Sequence, residues 1–419
     1  MENIEYILDF VVLLGREMIA CGANLERVSL AVDKICDVYN LREVTQNLSS
    51  NYISVSARTE EGLYCFRDSK IPNQINHLMR LRNLNRLSFR VSEIQPAPRT
   101  LNALLRSALM GKKKDYETWQ ITLSQILAMV CLCIMFGGRA MDVFGIVLIV
   151  LALTFFNRLL AHQSLNRMLA NAVVMFGITV LAISLGKLPI GIHAPVLIIT
   201  IIMLVLPGIP MVNAARNILC GNEMNGILQL IKVGLETLSL AFGIFAGAVL
   251  LKSELLPYSV TLHPVLMIVL SFLASASFGV AFHIYYKDLT LAGICGVLCR
   301  VVLLLSSSQT ENRTLFVLTA AFVSSLFAEL LATRRREPST YLIYPSIVPI
   351  IPGDLLYFTV LGFYLNDAAM VQTYGISCVQ SLLGMSIGFV LSSTVANYIR
   401  RRRHFLNRIR QAERIGKKD

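Results

Sequence analysis

Charge is scarce in this chain: Asp, Glu, Lys and Arg make up only 15% of 419 residues. So little charge excludes a water-soluble protein of this length, and a 55% hydrophobic content with mean hydropathy +0.62 demands burial in a membrane. No Gly-x-x-x-x-Gly-Lys-Ser/Thr stretch occurs, so the chain has no P-loop with which to drive pumping by ATP. A His-Glu-x-x-His helix is also missing, which removes the ligands of zinc proteolysis. The nine cysteines are scattered, and Cys131/Cys133 and Cys295/Cys299 sit in apolar runs without the His or second Cys pair of a zinc site. They read as packing residues; no metal and no cofactor are expected. The opening stretch carries Glu2, Glu5, Asp9 and Arg16, lacks the basic start and unbroken apolar core of a secretory signal, and reads as an amphipathic helix.

The net charge of +12 does not point to nucleic acid, because the basic residues cluster beside apolar runs at Lys112 to Lys114, Arg334 to Arg336 and Arg400 to Arg403. Membrane orientation and contact with anionic lipid headgroups account for that placement.

Residues 1–116 differ in composition from the rest and predict a cytoplasmic α+β domain. Helical periodicity runs through Ile7, Phe10, Val11 and Leu14, then through Val28, Ala31 and Ile35, with Cys21-Gly22-Ala23-Asn24 between. Asn51 to Ala57 and Gly62 to Phe66, split by Arg58 to Glu61, predict a β-hairpin. Helix is expected over 75–92, followed after Gln95-Pro96-Ala97-Pro98 by a short helix to Lys114.

From Trp119 onward, about ten apolar runs approach the ~20 residues that cross a bilayer. The first five span approximately 119–138, 141–160, 168–185, 193–211 and 227–251; the next five approximately 264–286, 289–305, 314–333, 341–364 and 374–398. With the N-terminal domain inside, the inner segments carry Arg158, Arg167, Arg216, Lys287 and the three basic clusters, while the outer loops carry only Arg139, Lys187, Lys252 and Arg313. Both termini are therefore expected to be cytoplasmic, in a multi-pass protein of the cell (inner, cytoplasmic) membrane. The fold class is a polytopic α-helical membrane protein, its ten helices forming two inverted five-helix repeats at 117–255 and 256–400, with a basic cytoplasmic tail at 401–419.

A recurring motif supports the division. Leu206-Pro207-Gly208 and Ile351-Pro352-Gly353 lie 145 residues apart, and Gly221-Asn222 and Asn366-Asp367 follow them at the same interval of 14. Proline lacks an N–H and glycine loosens the backbone, so each copy predicts a helix break. Because five spans are an odd number, the two breaks would lie on elements of opposite sense, as in alternating-access carriers.

The stretch from Leu206 to Gly226, including Pro210, Asn213, Arg216 and Asn217, resembles the signature of the threonine/serine exporter family. Gly22-Ala23-Asn24-Leu25-Glu26-Arg27-Val28 is similar to an element of that family's cytoplasmic domain, and Pro345 to Gly353, with Pro349, resembles the motif of its second membrane half. The resemblance spans nearly the whole chain, in a fused form that some bacteria split into two proteins. It implies non-enzymatic export of small amino acids coupled to protons, with small dicarboxylates such as succinate as an alternative cargo. Two acids of the family pattern are replaced, giving Arg216-Asn217 and Gly221-Asn222 where many members have an aspartate at the second position.

The residue chemistry leaves each candidate with two roles. Asp354, after the second break, is an intramembrane acid suited to an ammonium group or a proton, or a helix cap. Arg216 suits a substrate carboxylate through its planar donor pair, or serves as an inner-face charge. Asn213 offers an amide to substrate or to a neighbouring helix, and Tyr357 closes over substrate or packs. With Pro207, Gly208, Pro210, Asn217, Pro349, Pro352 and Gly353 these form the candidate substrate site. Proton-coupling candidates are Asp354, Glu329, Glu236, Arg300 and Asp367. Against those roles stand an ion pair of Glu236 with Lys232, four residues away, snorkelling of Arg300, an inner-end ion pair for Glu329 with Arg334 to Arg336, and a solvated loop position for Asp367. Gly22, Ala23 and Arg27 mark a gating site or a capped helix corner.

Membrane aspartyl proteolysis, suggested by Gly353-Asp354, needs a second carboxylate sharing the site, and none stands in an earlier span as a tyrosine-aspartate pair. The expectation is a secondary transporter whose partners are a small-molecule substrate, protons and membrane lipids, compatible with a homo-oligomer; a channel or a sensor with a cytoplasmic ligand domain is the other class.

Overall fold

The computed structural model describes residues 2–415 except 59–61, 63, 73–74, 76, 111–115, 161–165, 253–261 and 336. The expected turn at 59–61 and the basic residues Lys112 to Lys114 and Arg336 lie outside the described residues.

The N-terminal domain contains helices α1 (Glu2–Ala20), α2 (Leu25–Val38), α3 (Leu78–Ile94) and α4 (Leu101–Met110) and strands β1 (Arg42–Leu48), β2 (Tyr52–Arg58) and β3 (Tyr64–Lys70). The strands form one antiparallel sheet in the order β1-β2-β3. Ile53, Val55 and Ala57 of the central strand are fully buried against α1, whose Leu8, Phe10, Val11, Leu14 and Met18 supply the other face of the core. The predicted hairpin is therefore part of a three-stranded sheet. Its missed strand, Arg-Glu-Val-Thr-Gln-Asn-Leu, only alternates between exposed and half-buried, so it carries no apolar period to read.

The corner between α1 and α2 is built from Gly22-Ala23-Asn24. Gly22 takes φ +92°, its N–H bonds to Ile19 and that of Ala23 to Met18, which closes α1 with a Schellman arrangement. The Asn24 side chain then accepts from the Arg27 N–H and starts α2.

The membrane part comprises α5 (Thr118–Met135), α6 (Ala140–Leu160), α7 (Arg167–Gly186), α8 (Ala194–Val205), α9 (Gly208–Leu219), α10 (Glu223–Leu250), α11 (Pro264–Ala281), α12 (Leu289–Ser307), α13 (Arg313–Arg335), α14 (Thr340–Ser346), α15 (Gly353–Leu365) and α16 (Ala368–Ile415). Among the described residues nine helices are long and apolar enough to cross a membrane, or ten when α8 and α9, bent by 52°, count as one span. α6 and α10 turn Leu151, Phe155, Leu159, Leu228, Leu235, Leu238 and Phe242 outward, as lipid-facing helices do. The chain is a multi-pass membrane protein.

Two features recur in the helix packing. Gly243 and Gly247 bring α10 against the backbone of α7, and Gly384 and Gly388 bring α16 against the backbone of α13. Each is a Gly-x-x-x-Gly pair whose missing side chains permit close approach. Asp142, near the start of α6, accepts from the Arg139 N–H at 2.8 Å and the His193 N–H at 2.6 Å, with His193 Nδ1 3.0 Å away. Asp288, just before α12, accepts from the Tyr341 hydroxyl at 3.1 Å, Arg82 at 3.1 Å and Arg335 at 2.6 Å. Each buried carboxylate thus ties the start of its helix to the start of a broken span, the first at His193 and the second at Tyr341.

The N-terminal domain docks through this second cluster. Arg82 also pairs with Glu337, which Arg86 reaches at 3.2 Å. At the N-terminus of α3, the N–H groups of Leu78 and Met79 bond to the carbonyls of Phe282 and His283, and the His77 and His283 rings stack 4.2 Å apart.

Candidate functional site

The two Pro-Gly breaks share one backbone geometry. Pro207 has φ −75° and ψ 55°, Pro352 has φ −81° and ψ 55°, and each following glycine N–H bonds two residues back, at 2.8 Å to Leu206 and 2.9 Å to Ile351. Proline cannot donate, so the ladder stops; a new helix begins when Met211 bonds to the Pro207 carbonyl and Leu356 to that of Pro352. The breaks also touch reciprocally. A Cβ on Gly208 would lie 3.0 Å from Ile351, beside the second break, and one on Gly353 would collide with the Met203 sulfur, near the first.

Chemically the breaks differ, because Ile209 follows the first and Asp354 the second. Asp354 is half-buried in the first turn of α15, where the helix N-terminus favours a negative charge. The cations acting on it are Arg313 and Arg300. Arg300 donates through Nε to Ser271 Oγ at 3.1 Å and through a guanidinium N–H to the Pro349 carbonyl at 3.0 Å, so it fixes the unwound segment leading to the break. Arg313 donates to Ser381 Oγ at 2.8 Å.

A second group lies at the junction with the N-terminal domain. Asn213 donates to the Tyr344 hydroxyl at 2.9 Å, and that hydroxyl donates to the Gly22 carbonyl at 3.0 Å. Gly22, Ala23, Pro210, Asn213, Arg216 and Asn217 all border a void of about 30 Å³ at this corner. Beside it a cavity of about 430 Å³ is lined by Asn24, Arg27 and Lys34 of the domain and by Arg216, Glu329 and Asn397 of the membrane part. Arg27 is held by Asn85 Oδ1 at 3.1 Å and the Glu337 carbonyl at 3.4 Å. Arg216 is 8% exposed and Glu329 7%.

The structure therefore separates the predicted residues. Pro207, Gly208, Pro349, Pro352, Gly353, Asp354 and Arg300 gather at the breaks. Arg216 stands eight residues past Gly208 on α9, about 12 Å along the helix, and belongs with Glu329 and Arg27 instead. Asn217 bonds to Gln229 at 3.0 Å. Tyr357 is buried beside Ile244 and Ala248 of α10, and its hydroxyl has no partner among the described residues. Glu236 is buried on α10, while Lys232 is exposed. Asp367 is exposed and accepts from the Met370 N–H at 3.0 Å, which caps α16. Sequence reasoning missed Asp142, Asp288, Tyr341, Tyr344, Arg82 and Glu337, and read Arg313 only as a loop charge. One signal was available: Asp142 and Asp288 are 146 residues apart, nearly the interval of the breaks.

Paired broken helices in a multi-pass bundle, the second carrying Asp354 with Arg300 nearby, are the arrangement of membrane transporters. Residues 9–251 match the family model of threonine/serine exporters, ThrE, and residues 267–395 match a second one, Threonine/Serine exporter, ThrE. The chain belongs to the threonine/serine exporter family, a family of amino-acid exporters. No curated protein and no solved structure matches it.

Proposed function

We propose that this chain is a proton-coupled secondary transporter that carries small amino acids, threonine or serine, out of the cytoplasm by alternating access around the two Pro-Gly breaks. The observation that carries this reading is the reciprocal contact of the breaks, Gly208 on Ile351 and Gly353 on Met203. Two inverted halves related by a pseudo-twofold axis would produce that reciprocity, and the matched Gly-x-x-x-Gly pairs and the Asp142 and Asp288 anchors support the same relation. The positive-inside distribution supports a cytoplasmic N-terminal domain and cytoplasmic termini.

Asp354 is the proton site in this mechanism. A carboxylate in a closed, water-poor state is costly, so protonation lowers the barrier to switching, while Arg300 and Arg313 stabilise the ionised form when the site is open. The helix N-termini of α9 and α15 add partial positive charge toward a substrate carboxylate. In proteoliposomes, an imposed pH gradient should drive accumulation of labelled threonine or serine, a protonophore should abolish it, and Asp354→Asn should retain exchange while losing the response to the gradient. Gradient-driven accumulation that survives Asp354→Asn removes the proton role from that residue.

A further inference from the structure

Arg216 and Glu329 each line the same cavity, each more than nine-tenths buried, and they carry opposite charges. Arg216 Nε has no hydrogen-bond partner, and among the described residues no hydrogen bond or ion pair engages either charged group. Buried charges are normally paired or neutralised because desolvation is expensive. Two opposite ones that share a cavity without joining leave room for a ligand that joins them.

We propose that this cavity, between the N-terminal domain and the membrane part, is a loading site for a zwitterion, with Arg216 holding the carboxylate and Glu329 the ammonium group. The assignment rests on the transporter reading above, and adds to the two breaks a second place where the solute is read. The planar fork of Arg216 suits a carboxylate bidentately, and the Glu329 carboxylate can accept from an ammonium group. An α-amino acid carries both charged groups on one carbon and so offers a partner of opposite charge to each residue. Bound across this pair, a dicarboxylate would set its second acid against Glu329 and a diamine its second amine against Arg216, so like charge disfavours both there.

Size and position agree. About 430 Å³ falls in the ordinary range of small-molecule sites and leaves space for several waters, at roughly 30 Å³ each, beside a small solute. The domain forms the roof with Asn24, Arg27 and Lys34, so the site exists only while the domain is docked. Arg216 is carried on α9, directly downstream of the first break, and any reorientation at Pro207-Gly208 moves the carboxylate contact with it.

The test is ligand protection of a cysteine placed in the lining. In the full-length chain in detergent, with exposed Cys220 changed to Ser, Ser393→Cys is labelled by a maleimide with and without added solute. Saturating L-threonine or L-serine should slow labelling at least fivefold, whereas succinate, lactate and threoninol, which lack one of the two opposite charges, should not. Arg216→Gln and Glu329→Gln should each remove the protection. Should either variant fail to purify, the comparison of threonine with lactate and threoninol on the unneutralised chain decides alone. Protection by lactate or threoninol equal to that by threonine, protection that survives both neutralisations, or no protection by any amino acid overturns the site. Counterflow measured on the same preparation separates the two claims: exchange without protection leaves the transporter and removes this site, and protection without exchange leaves the site and removes the transporter.

Discussion

Asn213 donates its side-chain amide to the Tyr344 hydroxyl at 2.9 Å, and this bond joins the helix after the first break to the short helix before the second. The same hydroxyl donates to Gly22 of the N-terminal domain, so three parts of the chain meet at one oxygen. Tyr344→Phe deletes both bonds and leaves a polar amide without its acceptor, which should cost about 1–3 kcal/mol. A lower thermal midpoint in detergent, together with faster hydrogen exchange at residues 19–25, would register the loss. An unchanged midpoint and unchanged exchange would show that the junction is held elsewhere.

Contact between the breaks is tested at Gly353. Alanine there would drive its Cβ into the Met203 sulfur. Overpacking of this kind costs about 1–3 kcal/mol, but a thioether is a flexible obstacle. Gly353→Ala should therefore be destabilising alone and partly rescued by Met203→Ala, giving a coupling energy of at least ~0.5 kcal/mol in a double-mutant cycle on thermal stability. Strictly additive changes would mean that the breaks do not touch.

Docking of the N-terminal domain depends on Arg82, whose guanidinium meets Asp288 and Glu337 with little solvent on any of the three side chains. Arg82→Ala takes one cation from each of two buried carboxylates, leaving Asp288 with Arg335 and Tyr341 and Glu337 with Arg86. Breaking a buried pair from one side costs about 3–5 kcal/mol, and here it should appear as release of the domain: α3 exchanges amide hydrogens faster while the membrane helices keep their protection. Equal protection of α3 in both proteins would contradict the assignment.

The thiols of the N-terminal domain should be inert. Burial pushes Cys21 up to about 12, with Glu17 adding to it, and burial pushes Cys36 up to about 12, with Asp33 and Asp37 adding. Raised values keep both protonated, so at pH 8 the thiolate is roughly one part in ten thousand, and the fraction grows tenfold per pH unit above that. Maleimide at pH 8 should modify exposed Cys220 first and leave Cys21 and Cys36 intact until the protein unfolds, as mass spectrometry of peptides would show. Early labelling of Cys36 would mean that the core of the domain opens readily.

Much of this was legible in the chain because a bilayer imposes long apolar runs and because proline and glycine act through the backbone alone. The helices and both breaks followed from those two facts. β1 did not, since its outer faces are wet and its polar side chains alternate without an apolar partner. The docking cluster was hidden for another reason. Arg82 and Glu337 are 255 residues apart and each looks like an ordinary surface charge until the fold buries them together. Arg216 was recognisable as a candidate, but its separation from the breaks depends on the turn at Gly208 directing α9 toward the domain, which no local pattern encodes. Gly243/Gly247 and Gly384/Gly388 were readable as a second repeat, at an interval of 141 against 145 for the breaks, and were obscured by that small difference.

Counterflow in proteoliposomes tests the central claim most directly. Vesicles preloaded with unlabelled threonine or serine should take up the labelled amino acid transiently, saturably and against its concentration, because a carrier must return its site by exchange. Uptake that neither saturates nor responds to the preloaded amino acid, in vesicles shown to contain folded protein, would contradict the account and make the chain a channel.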